Sequence, residues 1–173
     1  MSARIKTGIA GGLCSVAVII GLILNHGLVR TNQRGLELIG NAEGCRRDPY
    51  VCPAGRLTDG IGNTHGVQPG RRKTDAEIAA DWEKNILDAE NCVNRYARGA
   101  ELPDNTFASA VEITFNVGCP LMRESTMFHL LRQREFVAAC NELPRWVYVN
   151  GEVVNGLVIR RAKSKALCLE GLE

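Results

Sequence analysis

The chain has 173 residues, 45% of them hydrophobic and 23% charged, with a formal net charge of +2. That length holds one ordinary core, or two small lobes sharing a helix. The mild charge excludes the concentrated basic stripe of a nucleic-acid binder, but suits contact with an anionic polymer such as a cell wall.

Arg4 and Lys6 precede a run from Gly8 to Leu24 that carries no charge. As a helix it would be about 25 Å long, short of a hydrocarbon core of about 30 Å. Gly8, Gly11, Gly12, Ser15 and Gly21 dilute its apolar residues. A cleaved signal would need a small-x-small site after the run, and Leu24-Asn25-His26-Gly27-Leu28 fits badly. A permanent anchor would be longer and more apolar. A marginal anchor over residues 8–24, which exports the chain and later lets go, fits best. Charge does not set its orientation, because Arg30 and Arg34 follow as closely as Arg4 and Lys6 precede.

Leu36, Leu38, Ile39 and Ala42 fall near helical spacing between Thr31 and Glu43, and Gly44 is a natural stop. Residues 45–53 read as a polar loop with Pro49 and Pro53. Residues 56–64 read as a short hairpin with Thr58-Asp59-Gly60-Ile61-Gly62 in turns and strands. Thr74-Asp75-Ala76-Glu77 has capping-box spacing and opens a helix to about Arg95. Asp104 or Asn105 can cap an apolar helix that Gly118 and Pro120 end. Shorter helices follow from Ser125 and over 134–143. Asn150-Gly151 is a turn signal, and 160–169 is the last helix. The fold class expected is α+β and mostly α-helical: a small lobe with a hairpin, a linking helix and a helical lobe.

The candidate chemistry lies in Glu43, Cys52 and Thr58, spaced Glu-x8-Cys-x5-Thr ahead of Asp-Gly-Ile-Gly. A glycosidase needs a carboxylic acid on one side of the sugar bond and an anion or base on the other. A lone Glu at a helix end is more often a solvated charge, so the case rests on the ordered set. That set resembles the phage-type lysozymes, whose pattern is Glu-x8-Asp or Cys-x5-Thr before a Gly-x-Gly hairpin. Phe115-Asn116-Val117-Gly118, Ser125-Thr126, Arg145-Trp146-Val147-Tyr148, Gly156-Leu157-Val158 and Arg160-Arg161 extend the likeness over nearly everything from Thr31 on.

The resemblance implies a lysozyme-like two-lobed fold: residues 1–30 as a signal-anchor-release segment and 31–173 as the lysozyme domain, divided into 31–72, 73–97 and 98–173. It implies hydrolysis of the β-1,4 bond between N-acetylmuramic acid and N-acetylglucosamine in peptidoglycan, with no cofactor, no metal, no nucleic acid and a monomeric enzyme. Glu43 would be the general acid, protonated near neutral pH by partial desolvation or a nearby like charge. Cys52 stands where many relatives have Asp. As a thiolate it would activate a water or attack the sugar, and Thr58 would position the water. An arginine would pair with the acid; Arg161 is the first match and Arg160 the second, although both also read as a solvated helix face. A thiol ordinarily ionises near 8.5, and Arg46, Arg47 and Arg56 are close enough in sequence to assist Cys52. Asn63 and His65 are candidate sugar contacts.

Seven cysteines in a small chain with an apolar N-terminus point to an oxidising compartment, against the plainer reading of buried thiols. No Cys-x-x-Cys pair supports a zinc site. Some phage endolysins carry a cysteine in a releasable membrane segment, and Cys14 resembles it. That likeness implies fixed disulfides Cys92–Cys119 and Cys140–Cys168, and a regulatory exchange among Cys14, Cys45 and Cys52. With Cys14 in the host inner membrane, Cys45 and Cys52 would pair. After release into the periplasm, Cys14 would attack Cys45 and expel Cys52. A lytic transglycosylase and a non-catalytic, membrane-tethered wall-binding protein are the rival readings.

Overall fold

The computed structural model describes residues 12–52 and 55–172. Arg4, Lys6, Gly8, Gly11 and Pro53, which figure in the expectations above, lie outside them. The first helix, α1 (Val16–His26), is capped by Ser15, whose hydroxyl accepts from the Val18 amide, and stopped by Gly27 at φ 70°. It is shorter than the uncharged run, and among the described residues no helix is long and apolar enough to cross a membrane. In this structure α1 is part of the core: Ile19, Ile20 and Ile23 are buried, each contributing roughly 1.5–3 kcal/mol relative to exposure.

Helix α2 (Gln33–Glu43) is capped by Asn32, whose side chain accepts from the Gly35 amide. A Cβ at Gly40 would come 2.5 Å from Val16 Cγ1 and 3.2 Å from Trp82. The missing side chain therefore lets α1 and the next helix close on α2.

Strands β1 (Arg46–Val51) and β2 (Leu57–Gly60) pair antiparallel, with Tyr50 opposite Thr58 and Val51 opposite Leu57. The expectation of a loop over 45–53 is corrected here. The Arg-Arg-Asp-Pro-Tyr-Val sequence lacks the period-2 apolar pattern that marks a strand, because both its ends are exposed. The register slips between Arg46 and Tyr50, where Pro49 sits, as expected for a proline in a strand. Residues 12–14 lie along β1: the Arg47 amide donates to Gly12 O at 2.7 Å and the Cys14 amide to Cys45 O at 3.3 Å.

Helix α3 (Asp75–Ala97) begins with the expected capping box, Thr74 and Glu77 exchanging side-chain and backbone hydrogen bonds. It packs against α1, β2 and α4 (Asp104–Val117). In α4 every residue from Thr106 to Thr114 is buried, so it is the centre of the helical lobe. Short helices α5 (Cys119–Met122), α6 (Thr126–Arg132, capped by Ser125) and α7 (Phe136–Asn141) follow. Strands β3 (Tyr148–Val149) and β4 (Glu152–Val153) form the hairpin signalled by Asn150-Gly151. Helix α8 (Asn155–Leu169) starts five residues earlier than expected. Its N-terminus has no side-chain cap, so there was no start signal to read. Arg160 and Arg161 thus lie inside α8, which packs on α4.

The described chain is mostly helical with two small antiparallel hairpins, in agreement with the expected fold class. Three disulfides join Cys14–Cys45, Cys92–Cys119 and Cys140–Cys168.

Candidate active site

Glu43 is the last residue of α2, and Gly44 at φ 72° turns the chain away from it into β1. Its side chain is 24% exposed. Arg160 Nη1 donates to Glu43 Oε1 at 2.8 Å. The other oxygen, Oε2, faces the turn after β2: a Cβ at Gly62 would come within 3.1 Å of it. Gly62 has φ 66°, so glycine is required there both for backbone conformation and for room.

Sequence favoured Arg161 as the partner of the acid; the structure gives that contact to Arg160. Arg161 is 1% exposed. Its Nη1 donates to both oxygens of Glu112 at 3.1 and 3.0 Å, and its Nη2 donates to Asn116. The reason is helical phase: adjacent residues on α8 point about 100° apart. Glu112 is fully buried on α4 and also accepts from Arg160 Nε and, at 2.5 Å, from Ser164 Oγ. Burial alone would lower the Arg160 guanidinium, but Glu112 and Glu43 outweigh it and hold Arg160 above its usual value. For Arg161, burial and then the like charge of Arg160 prevail over Glu112, and its value is lowered. Arg160 thus bridges Glu112 and Glu43, and the network sets the orientation of Glu43. Glu112 was not singled out from sequence; a Glu spaced Glu-x3-Asn inside an otherwise apolar helix is the signal that was available.

Thr58 lies on β2 and is 3% exposed. Its hydroxyl donates to the Arg56 carbonyl at 3.0 Å, which leaves its oxygen lone pairs to accept from a water. Cys52 follows β1, its amide donating to Arg56 O at 2.9 Å. It takes part in none of the three disulfides. Tyr50, unremarked in the sequence, sits opposite Thr58. Burial raises its phenol; Arg46 opposes this, and the charges of Glu43 and Cys52 add to it. The charges of Glu43 and Cys52 thus both act on the Tyr50 phenol, which faces Thr58 across the hairpin.

Of the three arginines considered for Cys52, Arg46 stacks on the Tyr50 ring at 4.4 Å. Arg47 is corrected: it pairs with Asp75 at 2.8 Å and donates to Leu13 O, so its charge is used at the start of α3. Asn63 is 3% exposed, and its amide donates to Asp59 at 2.8 Å and to His65 O, so it holds the turn. His65 stays exposed and lines a cavity of about 270 Å³ with Gly62, Asn85, Asp88, Thr114 and Phe115. That cavity is bounded by the hairpin turn, α3 and α4. A larger groove of about 450 Å³ between α2 and α8 also borders Arg160.

Comparison with known proteins shows the family. The family described as Phage lysozyme matches residues 40–164. The SAR-endolysin of Escherichia phage P1 is 55% identical, over 96% of this chain and 97% of its own. The crystal structure of the active form of P1 phage endolysin Lyz superposes with a TM-score of 0.91 at 53% identity, covering 95% of this chain and 98% of that one. The secreted inactive form of the same endolysin gives 0.60 at 54% identity, covering 83% and 97%. The chain belongs to the phage lysozyme family.

Proposed function

We propose that this protein is a phage endolysin that hydrolyses the β-1,4 bond between N-acetylmuramic acid and N-acetylglucosamine. One observation carries the reading: Glu43, fixed through Oε1 by Arg160, presents Oε2 to the turn that follows Thr58. A sugar in the cleft then meets the acid on one side and the hairpin on the other. Glu43 gives its proton to the leaving oxygen as the glycosidic bond breaks. A water donates one hydrogen to the Thr58 oxygen and the other to the Cys52 thiolate. It forms the new bond at the anomeric carbon from the opposite face, inverting it, as the thiolate takes its proton.

The same reading gives the disulfides a role. Before release, a Cys45–Cys52 bond would consume the thiol that the chemistry needs. Once the N-terminal segment leaves the inner membrane for the periplasm, the Cys14 thiolate attacks the Cys45 sulfur and displaces the Cys52 thiolate. One disulfide is exchanged for another, with no external oxidant. The Cys14–Cys45 bond in the present structure is the product expected of that exchange, and its greater likeness to the active than to the inactive form of the P1 endolysin supports the assignment.

The test is digestion of purified peptidoglycan with product mass spectrometry. Reducing muramic ends are expected, and Glu43→Gln should remove them while leaving the fold intact. Anhydro-muramic ends would mean a lytic transglycosylase, and no cleavage would mean a wall-binding protein.

A further inference from the structure

Lys73 belongs to neither the acid nor the thiol, yet it is the most enclosed lysine of the hairpin region, at 8% exposure. Its Nζ stands 2.8 Å from both oxygens of Asp59 and 2.6 Å from Asp81 Oδ2. Its backbone amide donates to Arg47 O at 3.0 Å. One residue therefore touches β1 through its backbone, and β2 and α3 through its ammonium. Asp59 is 1% exposed and follows Thr58 directly. It closes the turn that holds Gly62 through a reciprocal backbone pair with Asn63, 3.0 Å in each direction.

On α3 the residue next to Asp81 is Trp82, which is fully buried and lies against Gly40 of α2. Two consecutive residues of one helix thus hold the two halves of the site. Trp82 supports the helix that ends in Glu43. Asp81, through Lys73, supports the hairpin that carries Thr58 and Cys52.

We infer that Lys73 is a positioning residue for the reaction: its ammonium locks the β1–β2 hairpin to α3 and so sets Thr58 and Cys52 at a fixed distance from Glu43. Placement matters because a small displacement of a reacting group is expensive in rate even where binding survives. A neutral side chain at 73 would leave the fold's apolar contacts in place but let the hairpin shift against the acid. This inference rests on the muramidase reading above.

Removing only one member of a buried pair leaves an uncompensated charge, so the decisive variant is the double Asp59→Asn/Lys73→Met, compared with Lys73→Arg and with Asp81→Asn. Asp81 is 41% exposed, so its substitution cuts the link to α3 at little cost to folding. The double variant should lose about tenfold or more in kcat with KM within about twofold, the signature of a misplaced group. Asp81→Asn should shift kcat in the same direction by less, and Lys73→Arg should restore most of it. Amide exchange over residues 57–62 should accelerate in the double variant. Unchanged kcat in the folded double variant overturns the inference; if that variant does not fold, unchanged kcat in Asp81→Asn does so. An inactive wild-type protein would instead count against the muramidase reading, because exchange over 57–62 remains measurable without activity.

Discussion

The two halves of the site are built differently. The acid ends α2, where Glu43 is oriented by Arg160 within a network that joins α4 and α8 around a fully buried Glu112. The thiol follows the first strand of a hairpin of six and four residues that is irregular in register. That hairpin is held by Lys73, by the edge contact of residues 12–14 and by the Cys14–Cys45 bond. The difference shows where control is cheap. Disturbing the acid means disturbing the core, whereas the hairpin can be altered by what lies along its edge. Under the proposed exchange, regulation would act on the half that carries the thiol.

Substitutions that strike one half and spare the other sharpen this contrast. Glu112→Ala should have the largest effect, because it strands two buried guanidiniums; breaking such a pair costs about 3–5 kcal/mol, read as lost unfolding free energy in denaturant titration. Little or no loss would mean that the network is not a structural anchor. Ile23→Ala empties a buried site on α1 and should cost about 2–5 kcal/mol in the released protein. A negligible change in melting would show that α1 is not held in the core in solution. Cys52→Ala sits on the shallow half; it should abolish turnover and leave the denaturation midpoint nearly unchanged. The smallest effect is at the start of α3, where Thr74→Ala should cost about 1 kcal/mol. Folding lowers the Glu77 carboxyl because the Thr74 amide and hydroxyl donate to it. The sign follows from linkage: this stability is present above the ordinary carboxylate range and is lost as pH falls through the folded value. The gap between wild type and Thr74→Ala should therefore narrow on acidification, and a constant gap would contradict the box.

The same division governs what could be read from the sequence. Helical spacing, stops and caps located α2, α3 and α6 because those signals are local: the Leu36–Ala42 spacing with Gly44, the Thr74–Glu77 box, Ser125. The start of α8 was missed because Val154 caps nothing, and β1 was missed because its residues do not alternate. Glu43, Cys52 and Thr58 stood out by spacing, but the choice between Arg160 and Arg161 depends on helical phase against α4, which no local signal carries. Lys73 and Asp59 lie 14 residues apart, and their meeting is a consequence of the hairpin folding back on α3. Arg47 misled because proximity in sequence does not say which way a strand residue points; it faces Asp75.

The central claim is that the catalytic thiol is withheld until Cys14 takes its partner. Cys14→Ser tests it most directly, with peptidoglycan digestion and alkylation of Cys52 measured on the same released protein. The account predicts no turnover and a Cys52 that resists alkylation until a reductant is added, after which both are recovered. Full turnover with Cys52 already alkylated, before any reductant, would contradict it.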